Sequence, residues 1–543
     1  MKTLSPVTRR SLLQWSLRGG AVLATRSLLA GTEEMASAPI VATTAGKVRG
    51  ISRDGVNAFK GIPYGASTAG ANRFMPPQKP EPWTNVRDAL VYGPMAVQKG
   101  YAGNATPEMR ALRKGYLTPE GHESSEDCLV LNVWTPSVSS RSRLPVMVWC
   151  HGGAFTFGMG DTDWSEGTHL ASRQNVVVVS LNHRLDIFGF LYLAELGSPA
   201  FKSSTNLAML DIIAALGWVR DNIARFGGDP GNVTVFGCSG GGNKISTLMA
   251  MPAAHGLFHK AIIESGAYLR AISREAGTEA AREVLKQLNI PGSQVERLQA
   301  VPVSELLDVM PAIATGDFMS PVVDGRTLPR HPFDPDAPPI SRDVPMMIGT
   351  TLDEARFMGL ARTALFELDE TGLRTQVIAL GVAAADAGKF IETYRKMLPG
   401  DASASDIYFA IASDKWLRMD SITQAERKSE QPGTAPVYMY LFARGAPSRY
   451  KAGHTVEIPF VFDNLDLAPG VRGPTLDPRD AALARQVSAA WAAFARGGNP
   501  NHSGLEQWRP YEIKERATMV LDRSSHLIND PRKAGRLLWV GKT

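Results

Sequence analysis

Cysteine is scarce. Only Cys128, Cys150 and Cys238 occur among 543 residues, an odd number without a C-x-x-C pair, which excludes a disulfide framework and a cysteine-based zinc ribbon. Long apolar runs are lacking too. No segment beyond residue 30 reaches the ~18 uninterrupted apolar residues of a membrane span, so the body of the chain is expected to have none. Charge of one sign is also missing. The formal net charge is +5, and residues 1–38 hold five basic residues against Glu33 and Glu34, which leaves about +2 for the rest. That excess is too small to point to nucleic acid as a partner. No repeat of fixed period and no low-complexity tract is present, which excludes a solenoid. What remains is a chain with 44% hydrophobic residues, 51 glycines and 36 prolines, the composition of a globular core with many loops. An α/β sheet with long insertions accommodates this length within one domain.

Residues 1–38 read as a targeting peptide. Thr8-Arg9-Arg10-Ser11-Leu12-Leu13 is a twin-arginine pattern, followed by a modestly apolar stretch to Ala30 and an A-x-A triplet at Ala36-Ser37-Ala38. Export of a chain already folded in a reducing compartment suits the cysteine count. The expectation is a twin-arginine-type signal peptide over 1–38, a single domain over 39–543, and a periplasmic or secreted product.

Past the leader, short β-type runs alternate with helical patterns, which predicts an α/β architecture with a parallel or mixed sheet. The clearest strands are Leu129–Trp134, Val146–Cys150, Val176–Leu181, Val233–Phe236, Ala261–Ile263 and Met346–Ile348, apolar at nearly every position and so buried on both faces. Leu207–Phe226 has helical spacing, with Leu210, Ile213, Ala214 and Val219 on one side, and stops at Gly227-Gly228-Asp229-Pro230. From about 365 to 440 the pattern is mainly helical and reads as an insertion beside the sheet.

One motif carries chemistry. Val233–Phe236 runs directly into Gly237-Cys238-Ser239-Gly240-Gly241, a G-x-S-x-G pentapeptide between a strand and a helix start. In that context the motif is a nucleophile elbow: small neighbours permit the sharp turn that lifts the Ser239 hydroxyl above the carboxyl end of the sheet. A serine attacking a carbonyl needs a base and donors for the oxyanion. His151-Gly152-Gly153-Ala154-Phe155 follows a strand and supplies candidate donors in the N–H groups of Gly153 and Ala154, joined by that of Gly240. The chain order of such hydrolases is serine, acid, histidine, so His151 is not the base. His454, His502 and His526 lie far enough along. His454, at a loop tip anchored by Ile458-Pro459-Phe460-Val461-Phe462, is the candidate base, whereas the other two read as surface residues. Glu354, beyond the strand Met346–Ile348, is the candidate acid; Asp353 and Asp324 compete on spacing alone.

These residues together resemble the type-B carboxylesterase family, which includes bacterial para-nitrobenzyl esterases and the cholinesterases. The resemblance spans nearly all of the chain past the leader. It takes in Glu126-Asp127-Cys128-Leu129-Val130-Leu131-Asn132-Val133-Trp134, the His151–Phe155 loop, Asn182-His183-Arg184, and Asn206 through Pro230 into the elbow. Glu354 and His454 fall where the family places its acid and base. The resemblance implies an α/β-hydrolase fold with a large mixed, mostly parallel sheet and helical insertions around an active-site gorge, and neither metal nor organic cofactor.

Three departures bear on substrate. The family's elbow usually reads Gly-Glu-Ser-Ala-Gly, so Cys238 replaces a carboxylate and Gly240 the alanine, which weakens any preference for cations. Cys238 reads first as a buried structural thiol, with sensitivity of the activity to thiol reagents as a hypothesis beside it. The family's disulfide partner of Cys128 appears as Ala96. The loop from about 97 to 127 lacks the tryptophan on which cholinesterases seat a quaternary ammonium. The expected activity is therefore hydrolysis of small to medium, largely uncharged esters. An amidase or carbamate hydrolase with the same three residues is the alternative, as is a non-catalytic binding protein on the same fold.

Overall fold

Strands that are apolar on both faces must be covered on both, and this dictates the architecture. The computed structural model describes residues 38–99, 106–116, 122–309, 319–433 and 435–542. The expected leader lies, but for Ala38, outside the described residues. Eleven strands form one sheet: β1 Ile51–Arg53, β2 Val56–Pro63, β3 Val130–Thr135, β4 Leu144–Trp149, β5 Val177–Leu181, β6 Gly228–Cys238, β7 Lys260–Glu264, β8 Met346–Thr351, β9 Val437–Phe442, β10 Ala517–Leu521 and β11 His526–Asn529. Their spatial order is β11-β10-β9-β8-β7-β6-β4-β5-β3-β2-β1. The run from β5 through β4 to β10 is parallel. Antiparallel pairs close both ends. This is the expected large mixed, mostly parallel sheet, and all six strands read from the sequence lie in it.

Helix α1, Leu207–Asn222, continues as a 3-10 turn through Phe226, with Leu210, Ile213 and Ala214 partly buried against the core. Its fully buried face carries Ala208, Asp211, Ile212, Ala215 and Val219. Asp211 accepts from Arg184 Nε at 2.8 Å and Nη2 at 2.6 Å inside the protein. Leaving either charge alone would cost several kcal/mol. One expectation, the extent of the insertion, needs correction. Helix α3 Arg356–Ala361 leads into it, and helices α4 Glu370–Ala379, α5 Ala387–Met397, α6 Ala404–Ser413 and α7 Met419–Ser429 fill most of it. Its expected end near 440 nevertheless falls inside β9, a fully buried strand between β8 and β10.

Packing on the two faces divides the core. One face gathers Phe59, Leu131, Val148, Phe226 and Ile263 under α1. The other gathers Trp149, Phe236, Phe462 and Trp491, with Trp491 on the long helix Pro478–Gly497. Among the described residues no helix is long and apolar enough to cross a membrane.

Candidate active site

Strand β6 ends at Cys238 and helix α2, Gly240–Leu248, begins two residues later. Ser239 between them has φ 58° and ψ −124°, a conformation that side chains other than glycine rarely adopt and that marks stored strain. Its amide donates to the Glu264 carbonyl at 2.7 Å, which pins the turn to β7. Close approach explains the glycines around it. A Cβ on Gly241 would stand 2.0 Å from the Cys150 carbonyl oxygen, and one on Gly240 would stand 2.4 Å from Ala154 N. The His151–Phe155 loop thus lies directly against the elbow, and it turns through Gly153 at φ 93° and Ala154 at φ 50°. Because the obstacle at Gly241 is backbone, Gly241→Ala is expected to destabilise the protein by about 3 kcal/mol, measurable in urea unfolding.

Glu354 is fully buried three residues past β8. Its Oε2 lies 2.6 Å from His454 Nδ1, while Oε1 accepts from the Ser265 hydroxyl and from Thr351 N at 2.7 Å. A carboxylate can only accept here, so Nδ1 carries the proton and Nε2 keeps its lone pair. The imidazole, 3% exposed, is braced by Phe357 at 5.6 Å and Trp416 at 5.0 Å between ring centres. Tyr450 donates to the His454 carbonyl. Ser265 ties this assembly to the elbow: a Cβ on its neighbour Gly266 would stand 2.3 Å from the Ser239 carbonyl oxygen.

The competing residues go elsewhere. Asp353 accepts from Ala452 N at 3.2 Å. Asp324 closes its own turn, accepting from the amides of Arg326, Thr327 and Leu328. His502 bonds Gln486 O and Gly504 N, and His526 is exposed. His151 is buried and stacked on His183 at 4.7 Å.

Sequence reasoning missed Ser265, Glu264, Glu457 and Lys244. The signal for the first two was a polar pair directly after an apolar strand, Glu264-Ser265 before Gly266. Glu264 accepts from Trp491 Nε1 at 2.7 Å, and burial pushes its carboxyl up to about 8. Burial, with Glu354 and Glu264 nearby, pushes Glu457 up as well. Cys238 is fully buried and burial, then Glu457, drives its thiol upward. This is the buried structural thiol read from the sequence, and an unexposed thiol that resists ionisation reacts slowly with alkylating reagents.

Lys244 on α2 is fully buried, donates to the His151 carbonyl at 3.0 Å, and is lowered by burial from 10.5 to about 7. Between those values the unfolded chain binds more protons than the folded one, so stability rises with pH across that window; the cost is complete below about 7. Lys244→Met is therefore expected to raise the thermal midpoint below pH 7, with the difference shrinking as pH approaches 10.5. Thermal unfolding of both proteins across pH checks this.

A strained serine on a strand–helix elbow, beside a glycine loop and a buried histidine–glutamate pair, on a mostly parallel sheet, defines an α/β-hydrolase. A model of the carboxylesterase family matches residues 37–537, and the chain belongs to that family. It is 36% identical over 506 residues to the para-nitrobenzyl esterase of Bacillus subtilis (strain 168), covering 92% of this chain and 97% of that one. Among solved structures, a carboxylesterase of Geobacillus stearothermophilus is similar with a TM-score of 0.78 at 34% identity, over 92% of this chain and 99% of that one. An esterase of Clostridium hathewayi, described as able to hydrolyze aliphatic aromatic polyesters, is similar with a TM-score of 0.78 at 32% identity, over 93% and 98%. The protein is a carboxylic ester hydrolase.

Proposed function

We propose that Ser239 attacks small to medium, largely uncharged carboxylic esters, with His454 as base and Glu354 as the acid that orients it. Ser239 Oγ bonds to the carbonyl carbon as His454 Nε2 takes its proton. The tetrahedral adduct collapses, the alcohol leaves with that proton, and water then releases the acid by the same steps. The N–H groups of Gly153, Ala154 and Gly240 stabilise the oxyanion. The observation that carries this reading is the Glu354–His454 contact, which fixes the proton on Nδ1 and reserves Nε2 for catalysis. The absence of a carboxylate at 238 and the upward-shifted carboxyls of Glu264 and Glu457 support a preference for uncharged substrates.

A panel of nitrophenyl acyl esters set against the matching anilides tests the reading. Turnover of the esters far above the anilides is expected; the reverse ranking would make the chain an amidase. Failure of an organophosphonate to label Ser239 would favour a binding protein instead. Residues 1–38 act in this reading as a twin-arginine leader that delivers the folded enzyme to the periplasm or exterior. The family match beginning at residue 37 supports that division. Mass spectrometry of the N-terminus from the exported fraction checks it, and an intact leader there would refute it.

A further inference from the structure

We infer that Cys238, Glu264 and Glu457 form a site for a thiophilic divalent cation of the zinc or cadmium type, directly behind the nucleophile. Cys238, Glu264, Gly349 and Tyr440 are in register across β6, β7, β8 and β9, so their side positions fall in one row on one face of the sheet. Glycine leaves the third place empty, and the Tyr440 ring fills it: a Cβ on Gly349 would stand 2.4 Å from Tyr440 Cγ and Cδ1. The phenol is thereby carried toward Glu264. Glu457, three residues past His454, covers the row, with Oε1 3.7 Å from Cys238 Sγ. One ligand atom from each of Cys238, Glu264 and Glu457 lies within 4.8 Å of the other two.

Two further facts make this more than an acidic cluster. Glu264 Oε2, Glu457 Oε2 and Tyr440 Oη are buried without a hydrogen-bond partner, and Tyr440 is only 1% exposed. Three buried, orphaned oxygens cost several kcal/mol unless something satisfies them. Trp491 meanwhile holds Glu264 by its other oxygen, leaving Oε2 free to turn to an ion. The donor set selects the ion. Zinc takes sulfur at ~2.3 Å and carboxylate oxygen at ~2.0–2.2 Å in a tetrahedron, which implies a sulfur–oxygen edge of about 3.5 Å; magnesium and calcium need six or more oxygens. A thiol and two carboxyls that resist ionisation when crowded and buried lose their protons together to a dication, and binding releases those protons.

Binding does not rest on the proposed hydrolysis. Glu457 Oε1 lies 3.4 Å from Ser265 Oγ, whose single proton goes to Glu354. Three protons leave as one dication enters, so the net charge of the site falls by one on binding.

The test adds Cd2+ alone to the full chain in chelator-free buffer with long incubation, and reads binding by equilibrium dialysis and by the ultraviolet thiolate-to-cadmium band. One ion per chain and the band are expected. Cys238→Ser should abolish the band, and Glu264→Gln, which keeps the oxygen bonded to Trp491, should weaken binding by at least about tenfold. Near-ultraviolet circular dichroism confirms that both variants fold. No binding to the parent, or a band unchanged in Cys238→Ser, would overturn the site. Nitrophenol release by metal-free parent protein is measured separately, so that failure of the ester reading is told apart from failure of the site.

Discussion

Ser239→Ala should abolish turnover of a nitrophenyl acyl ester, lowering kcat by about a hundred thousandfold to a millionfold. In the proposed reaction the Ser239 side chain forms the acyl bond, and the polar neighbours are poor replacements: Cys238 is buried with its thiol pushed up, and Ser265 spends its hydroxyl on Glu354. What survives is the modest rate supplied by oxyanion donors and substrate binding, about a thousandfold over water. Thermal stability should hardly move, because the φ of 58° is imposed by the turn and is borne equally by alanine. The measurement is the loss of burst-phase nitrophenol together with loss of organophosphonate from the peptide carrying residue 239. A variant retaining more than about a hundredth of the parent kcat would mean that another nucleophile does the work.

The sequence makes some of this fold plain and hides the rest for physical reasons. Val146–Cys150 and Val176–Leu181 read as strands because short apolar runs rich in valine fill nearly every position on both faces. Strand β2 was invisible because Lys60, Gly61 and Pro63 break it; in the structure its pairing with β3 shifts register between Phe59 and Ile62, around Gly61 at φ 68°. Strand β9, Val-Tyr-Met-Tyr-Leu-Phe, followed a helical stretch and carries neither alternation nor β-branched residues beyond Val437, so it merged into the insertion. The elbow was legible because its chemistry is local: five residues and a turn. The histidine–glutamate pair spans 100 residues and was reached through chain order and family resemblance. Ser265 showed only as half of a polar pair after a strand, its partner 89 positions away, and Glu457 gave no usable signal, since its role depends on a partner 219 positions away. A buried glutamate in an apolar run looks, in sequence, like any surface charge.

Glu354→Gln should lower kcat by about ten thousandfold while leaving the fold and KM nearly unchanged, and the reason lies in how the carboxylate is shared. Oε1 receives two donors, the Ser265 hydroxyl and the Thr351 amide, whereas Oε2 receives one, His454 Nδ1–H. A glutamine has one acceptor oxygen and one NH2. Placing the NH2 at the Oε1 position would set it against two donors in a buried site, so the oxygen goes there and the NH2 faces His454. Nδ1 must then accept, its proton moves to Nε2, and the lone pair needed by Ser239 is gone. The electrostatic support of the imidazolium is lost in the same stroke. Steady-state kinetics check the outcome: a fall in kcat with KM held, and partial recovery in Glu354→Asp, which restores a carboxylate at a shorter reach. A glutamine variant within tenfold of the parent would show that the buried pair orients nothing the reaction needs. A loss confined to KM would place Glu354 in substrate binding, a role its full burial behind the histidine does not allow.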